Sequence, residues 1–215
     1  MSERSHVKDG LDGPERQSTP SFIGLRSRVQ TLYRARRRTV LEVPIAELRR
    51  RYGGAGLPVE VDEVDHRSAV VELKDGVRVE VGFKGTFRLF GALIDTQWVA
   101  RRGELGEGFV RYDYRFDKKA FVPARRDRGL RATAVTAEVV DQAAALADET
   151  VVELAGRSEL KSMSVLVGPH GRQVELVPLA GTITAMYFPP LPPYTVALKT
   201  GEVQDHLTLL EHLVR

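Results

Sequence analysis

Apolar and polar positions are distributed along this chain in several distinct rhythms. Over residues 1–20 there is no rhythm: MSERSHVKDGLDGPERQSTP is polar and broken by Gly and Pro. Such a stretch lacks the apolar surface to offset the entropy of ordering, and it reads as a disordered tail. From Ser21 the spacing becomes helical. Leu25, Val29, Leu32 and Tyr33 stand at i, i+4, i+7 and i+8, one stripe of a helix over 21–38 that Ser21 can cap. A short β-branched stretch comes next at 39–43. Pro44 then opens a second, shorter helix over 45–52, closed by Gly53 and Gly54.

Strand patterns come after the helices. Residues 57–64 alternate apolar and acidic side chains, and 69–73 and 77–81 flank Asp75-Gly76, the best hairpin signal in the chain. The stretch 86–99 mixes aromatics with Gly91 and reads as one strand or two. In FVRYDYRF, 109–116, the alternation separates Phe109, Arg111, Asp113 and Arg115 from Val110, Tyr112, Tyr114 and Phe116, the second set being the core face. A Gly-rich loop over 101–108 lies between these strands.

The polar, basic segment PARRDRGLR, 123–131, reads as a seam between two halves. A helix is expected over 136–147, and a second over 149–154, capped by Asp148 and stopped by Gly156. Strands are expected over 160–167 and 173–177, joined by Gly168-Pro169-His170-Gly171, then over 182–188 and 194–198. The run Pro189-Pro190-Leu191-Pro192-Pro193 stiffens the crossover between the last two and blocks pairing at an edge. A closing helix over 202–214 places Val203, Leu207, Leu210 and Val214 on one stripe, with Leu213 beside it.

The fold class these patterns imply is α+β: mainly antiparallel sheet packed with several helices, since hairpins and meanders dominate the strand connections. The chain divides into a tail, 1–20, and one domain, 21–215, with a subdomain seam near 123–133. The two halves share a rough helix-then-strand order, a weak pseudo-repeat without sequence identity.

Composition narrows the functional classes. With 215 residues, 42% hydrophobic and 28% charged, the chain is an ordinary soluble globular protein in its bulk numbers. It has no cysteine, which removes disulfides, thiolate metal sites and cysteine nucleophiles. There is no apolar run of signal-peptide length and none near the roughly 20 residues that span a bilayer, so a cytoplasmic location is expected. Arginine greatly outnumbers lysine, as it does in proteins from GC-rich bacterial genomes.

Charge is sorted along the chain. Residues 26–51 hold nine arginines against Glu42 and Glu47, a formal +7, whereas the whole chain carries +3 and the remainder therefore −4. Sorted charge brings an anionic partner to one part of a surface. Arg34, Arg36, Arg37 and Arg38 are the candidates for that contact, with phosphates of nucleic acid ahead of a lipid surface because Phe22, Leu25 and Leu32 are needed by the core. The plainer alternative is a solvated helix face whose arginines pair with acids elsewhere.

Other constellations carry less. Asp62, Glu63, Asp65 and His66 have metal-ligand chemistry, but strand alternation separates Asp62 from Glu63, and Asp and His are common beside turns. Asp95 and Trp98, in the apolar context GALIDTQWV, and Asp113 with Arg115 are candidate lining residues if a curved sheet encloses a cavity. His206 and His212 are six apart and share no helix face, no HExxH occurs, and no G-x-S-x-G surrounds Ser158, Ser162 or Ser164. Gly103, Gly106 and Gly108 are in the wrong order for a dinucleotide fingerprint, and there is no Walker loop. No metal and no cofactor is therefore expected. The leading expectation is a non-catalytic binding module with a basic N-terminal helix. A small-molecule binder or enzyme with a cavity between sheet and closing helix, and a structural protomer of a larger assembly, are the rivals. Homo-oligomerisation is left open.

Overall fold

Asp75-Gly76 turns the chain as its sequence demands: Gly76 takes a φ of 76°, Leu73 N donates to Val77 O at 2.7 Å, and Gly76 N donates to Leu73 O at 3.0 Å. The computed structural model describes residues 22–88, 91–124, 137–186 and 191–215. From that hairpin a ten-stranded sheet spreads, antiparallel at every pairing. Its strands are β1 (Val59–Val61), β2 (Ser68–Glu72), β3 (Val77–Arg88), β4 (Gly91–Glu104), β5 (Val110–Arg115), β6 (Ala120–Pro123), β7 (Leu160–Val167), β8 (His170–Pro178), β9 (Ile183–Met186) and β10 (Leu191–Thr195). The order is β1-β2-β3-β4-β8-β7-β5-β6, with β9 and β10 added beside the first half of β4. The long β4 thus serves two neighbours, β9 through Gly91–Ile94 and β8 through Trp98–Glu104.

The helices are α1 (Phe22–Tyr52), α2 (Ala137–Ala145), α3 (Glu149–Arg157) and α4 (Thr200–Val214). The sequence-derived class, α+β with an antiparallel sheet, is the class observed. Among the described residues no helix is long and apolar enough to cross a membrane. The halves are not two copies of one layout. The first opens on one helix rather than two, and β7 and β8 lie between β4 and β5, so strands from both halves share one sheet. The seam itself lies almost wholly outside the described residues.

Register explains the core. Val81, Trp98, Leu176 and Met163 are successive partners across four strands, and Val79, Ala100, Val174, Val165 and Tyr112 form the adjoining row. All are buried. Side chains alternate across a sheet, so this is one face, and α4 covers its centre with Val203, Leu207, Leu210 and Leu213. The opposite face carries Glu80, Val99, Glu175, Ser164 and Asp113 in register.

Several expectations are corrected. Helix α1 runs unbroken through Pro44 for 31 residues, about 46 Å at 1.5 Å per residue. Proline costs a helix interior roughly 3 kcal/mol, but Leu41 and Leu48 on either side of it are fully buried, and such packing offsets the cost. Strand β4 continues to Glu104, through the first part of the expected loop. Leu191–Thr195 is itself a strand, β10, whose pairing with β9 is irregular between Leu191 and Tyr194, at the two prolines that cannot donate. Phe116, placed on the core face by alternation, lies just past the end of β5 and is 39% exposed.

Candidate functional site

Among the described residues the arginines of α1 have different surroundings. Arg34 bonds Asp65 at 2.9 Å, and Arg67 reaches the other oxygen of that carboxylate at 2.7 Å. Arg37 lies part-buried beside them, and burial, then the Arg67 charge, hold its pKa below the ordinary arginine range. Arg36 is exposed on another side of the helix, and Arg38 turns into a groove. Farther along, Arg50 is held by Glu47 and Arg51 by Glu211, whereas Arg49 is exposed.

The groove lies between α1 and the chain that leaves it through β1. After α1 the chain reverses, Leu57 N donating to Tyr52 O, and runs back along the helix to the turn where Asp65 meets Arg34. The groove is open to solvent and has a volume of about 510 Å³. Helix α1 contributes Arg38, Leu41, Glu42, Ile45, Ala46 and Arg49; the returning chain contributes Val61, Glu63 and His66. Positions 38, 42, 45 and 49 are spaced i, i+4, i+7 and i+11, so they form one stripe on a continuous helix.

Local chemistry fixes the second wall. Asp62 accepts from Asp65 N through its side chain at 3.1 Å, and Asp62 O accepts from His66 N at 2.9 Å. The turn places His66 at a φ of 49°, the left-handed region, which costs a residue with a β-carbon on the order of 1 kcal/mol. The turn's bonds offset that strain and keep the imidazole in the groove wall. The sequence-based reading of this cluster as turn chemistry agrees with these bonds. Among the described residues no group of three His, Asp or Glu side chains is placed to hold a metal ion.

The two ends of the groove differ. Toward the turn stand Arg38, Glu42, Glu63 and His66; toward the helix C-terminus stand Ile45, Ala46, Val61 and Arg49, with fully buried Leu41 in the floor. Among the described residues Arg38, Glu42, Arg49 and Glu63 make no side-chain ion pair or hydrogen bond. Four charged groups around an apolar floor can orient a small amphipathic ligand.

The cavity set read from sequence does not come together. Asp95 is buried and accepts from Lys161 Nζ at 2.9 Å and Thr182 Oγ1 at 3.2 Å. Trp98, three residues on, is on the opposite, helix-covered face and wholly buried. Asp113 shares the open face with Asp95 and accepts from Arg111 Nε at 2.9 Å. It ends a ladder of polar side chains running from Glu80 through Arg101, Gln173, Glu175 and Arg111. Arg115 is exposed near the end of that strand. His206, an isolated histidine in the sequence, is 1% exposed in the core beside Trp98.

Sequence reasoning misses the groove because it breaks α1 at Pro44. That break puts Arg38 and Arg49 on separate helices and hides their common stripe. No protein-family model, no curated protein and no solved structure matches this chain.

Proposed function

We propose that the protein is a non-catalytic binding module in which α1 meets an anionic group of the partner and the adjoining groove takes the partner's apolar part. The observation that carries this reading is the placement of Arg38 and Arg49, without ion-pair partners among the described residues, at the two ends of a floor made by Leu41, Ile45 and Val61. A desolvated apolar floor supplies affinity, and a guanidinium beside it selects and orients an anion.

A polyanion is the weaker partner. Arg34 and Arg37 gather at Asp65, and Glu42 and Glu63 share the groove with the remaining arginines. A phosphate backbone gains from a row of unopposed cations, whereas among the described residues of this surface carboxylates are interspersed with the arginines.

The test is a fluorescence titration with 8-anilinonaphthalene-1-sulfonate, which joins an aromatic body to one fixed negative charge. Saturable enhancement by the folded chain, weakened about tenfold in Arg49→Gln and less in Arg38→Gln, is expected. Enhancement indifferent to both substitutions refutes the reading. A labelled DNA duplex titrated at low and moderate salt gives the contrast: steep, salt-dependent binding there replaces the small amphipathic partner with nucleic acid.

One observation favours a second reading, a protomer of a larger assembly. Leu179, Tyr194 and Val196 are 52%, 69% and 42% exposed, and Gly181 N bonds Val196 O, which brings Val196 beside the turn that carries Leu179. They cluster around edge strand β10, where an apolar patch invites a second chain. Light scattering at micromolar concentration, before and after Tyr194→Ser, decides it: a monomer in both removes this reading.

A further inference from the structure

The groove's charges define more than an anion site. Among the lining residues its turn end holds two carboxylates, Glu42 and Glu63, against one guanidinium, Arg38, a formal −1. Its other end holds Arg49 alone, a formal +1. Glu42 and Arg49 are seven helix positions apart, about 10 Å along the axis. Three residues of extended peptide also span about 10 Å. Between the two charges the groove is lined by apolar side chains, Ile45 and Ala46 on the helix and Val61 on the returning chain.

We propose that the groove receives a short apolar peptide with free termini, its ammonium group at Glu42 and Glu63 and its carboxylate at Arg49. Alternate side chains of an extended peptide point to one side, so the first and third rest against Ile45 and Val61 while the second faces solvent. Arg49 forms the charge-assisted, two-pronged bond to the carboxylate that a guanidinium favours. The two carboxylates supply acceptors for the ammonium's three donors. Arg38 and the strained His66 border that end and limit the size of the first side chain. A longer chain lacking one free end leaves an ionic group of the groove unmatched, which is how such a site selects small peptides over segments of folded proteins. This inference rests on the binding-module reading and narrows its anion to a peptide carboxylate.

Calorimetric titration of the full chain with Leu-Ala-Leu tests it, beside the N-acetylated and C-amidated forms of the same peptide. The free peptide is expected to bind, and each cap to weaken binding about tenfold, the usual scale of one charge-assisted bond. In Glu42→Gln the acetyl cap is expected to lose most of its penalty while the amide cap keeps it; in Arg49→Gln the pattern reverses. Both positions are exposed, so both variants retain the parent's thermal midpoint. Caps without effect, or penalties that the substitutions do not redistribute, overturn the peptide assignment. Absence of peptide binding together with arginine-dependent binding of the anilinonaphthalene probe removes the peptide and leaves the module. Absence of both removes the module as well.

Discussion

The His206 imidazole and the Trp98 indole lie with ring centroids 6.3 Å apart and planes tilted by 55° in the middle of the core. Among the described residues neither ring nitrogen of His206 has a hydrogen-bond partner, and the indole N–H is in the same position. A buried imidazole without a partner is held neutral. Burial pushes its pKa down to about 4, while Glu202 and Asp205 pull more weakly upward.

That relationship makes stability depend on acid. In the unfolded chain His206 takes up a proton near pH 6.5; in the folded chain it does so only near 4. Between those values the unfolded state binds more protons, so stability is full above about pH 6.5 and falls as pH drops through 4. The loss is about 3 kcal/mol. Urea unfolding across that range is expected to show it in the parent and not in His206→Leu. Parallel curves for the two proteins contradict it.

Gly181 is expected to tolerate no side chain. Its φ is 77°, and a β-carbon there meets Thr96 Oγ1 at 2.5 Å and Leu198 Cδ1 at 2.8 Å. Thr96 is itself fixed by donating to Gly181 O at 2.7 Å. Gly181→Ala therefore combines left-handed strain with overpacking at the point where β9 joins β4, and is expected to lose at least about 2 kcal/mol. Circular dichroism melts read this directly, and an unchanged midpoint refutes the close approach.

Glu211 ties α4 to the end of α1. It accepts from Arg51 Nε at 3.0 Å and from the Tyr52 hydroxyl, and Arg51 also reaches Thr208 at 3.2 Å. Burial first, and the Glu211 carboxylate next, raise the Tyr52 pKa above the usual phenol range. Glu211→Ala leaves a half-buried guanidinium and a buried hydroxyl short of acceptors, with an expected loss of about 2 kcal/mol. In the parent, absorbance titration is expected to show Tyr52 protonated until alkaline unfolding. Its ionisation at ordinary phenol pH in the native state contradicts the contact.

Much of the fold is written in short-range chemistry. Asp75-Gly76 forms its hairpin, Asp148 accepts from Val151 N to cap α3, and Tyr112 and Tyr114 are buried as their alternation requires. These features depend on a few neighbours and are visible in a few letters. The less legible features depend on distant packing. Pro44 looks like a helix start, and α1 continues through it with Val40, Leu41 and Leu48 buried in the core. The groove disappears from view with that helix. The position of His206, three after Val203 and four before Leu210, lies on the buried stripe of α4, so the signal is present; its polar type masks it. Asp95 and Trp98, three residues apart on one strand, fall on opposite faces by strand alternation alone. The start of the helix expected over 136–147 and most of the seam fall within residues 125–136, outside the described residues.

The central claim is that the α1–β1 groove is where this protein binds. Amide chemical-shift mapping of the full chain during titration with 8-anilinonaphthalene-1-sulfonate tests it most directly. Shifts concentrated on residues 38–49 and 61–66 are expected, fading in Arg49→Gln. Shifts centred elsewhere, on the open face around Glu175 and Asp113 or at the β10 edge, contradict it.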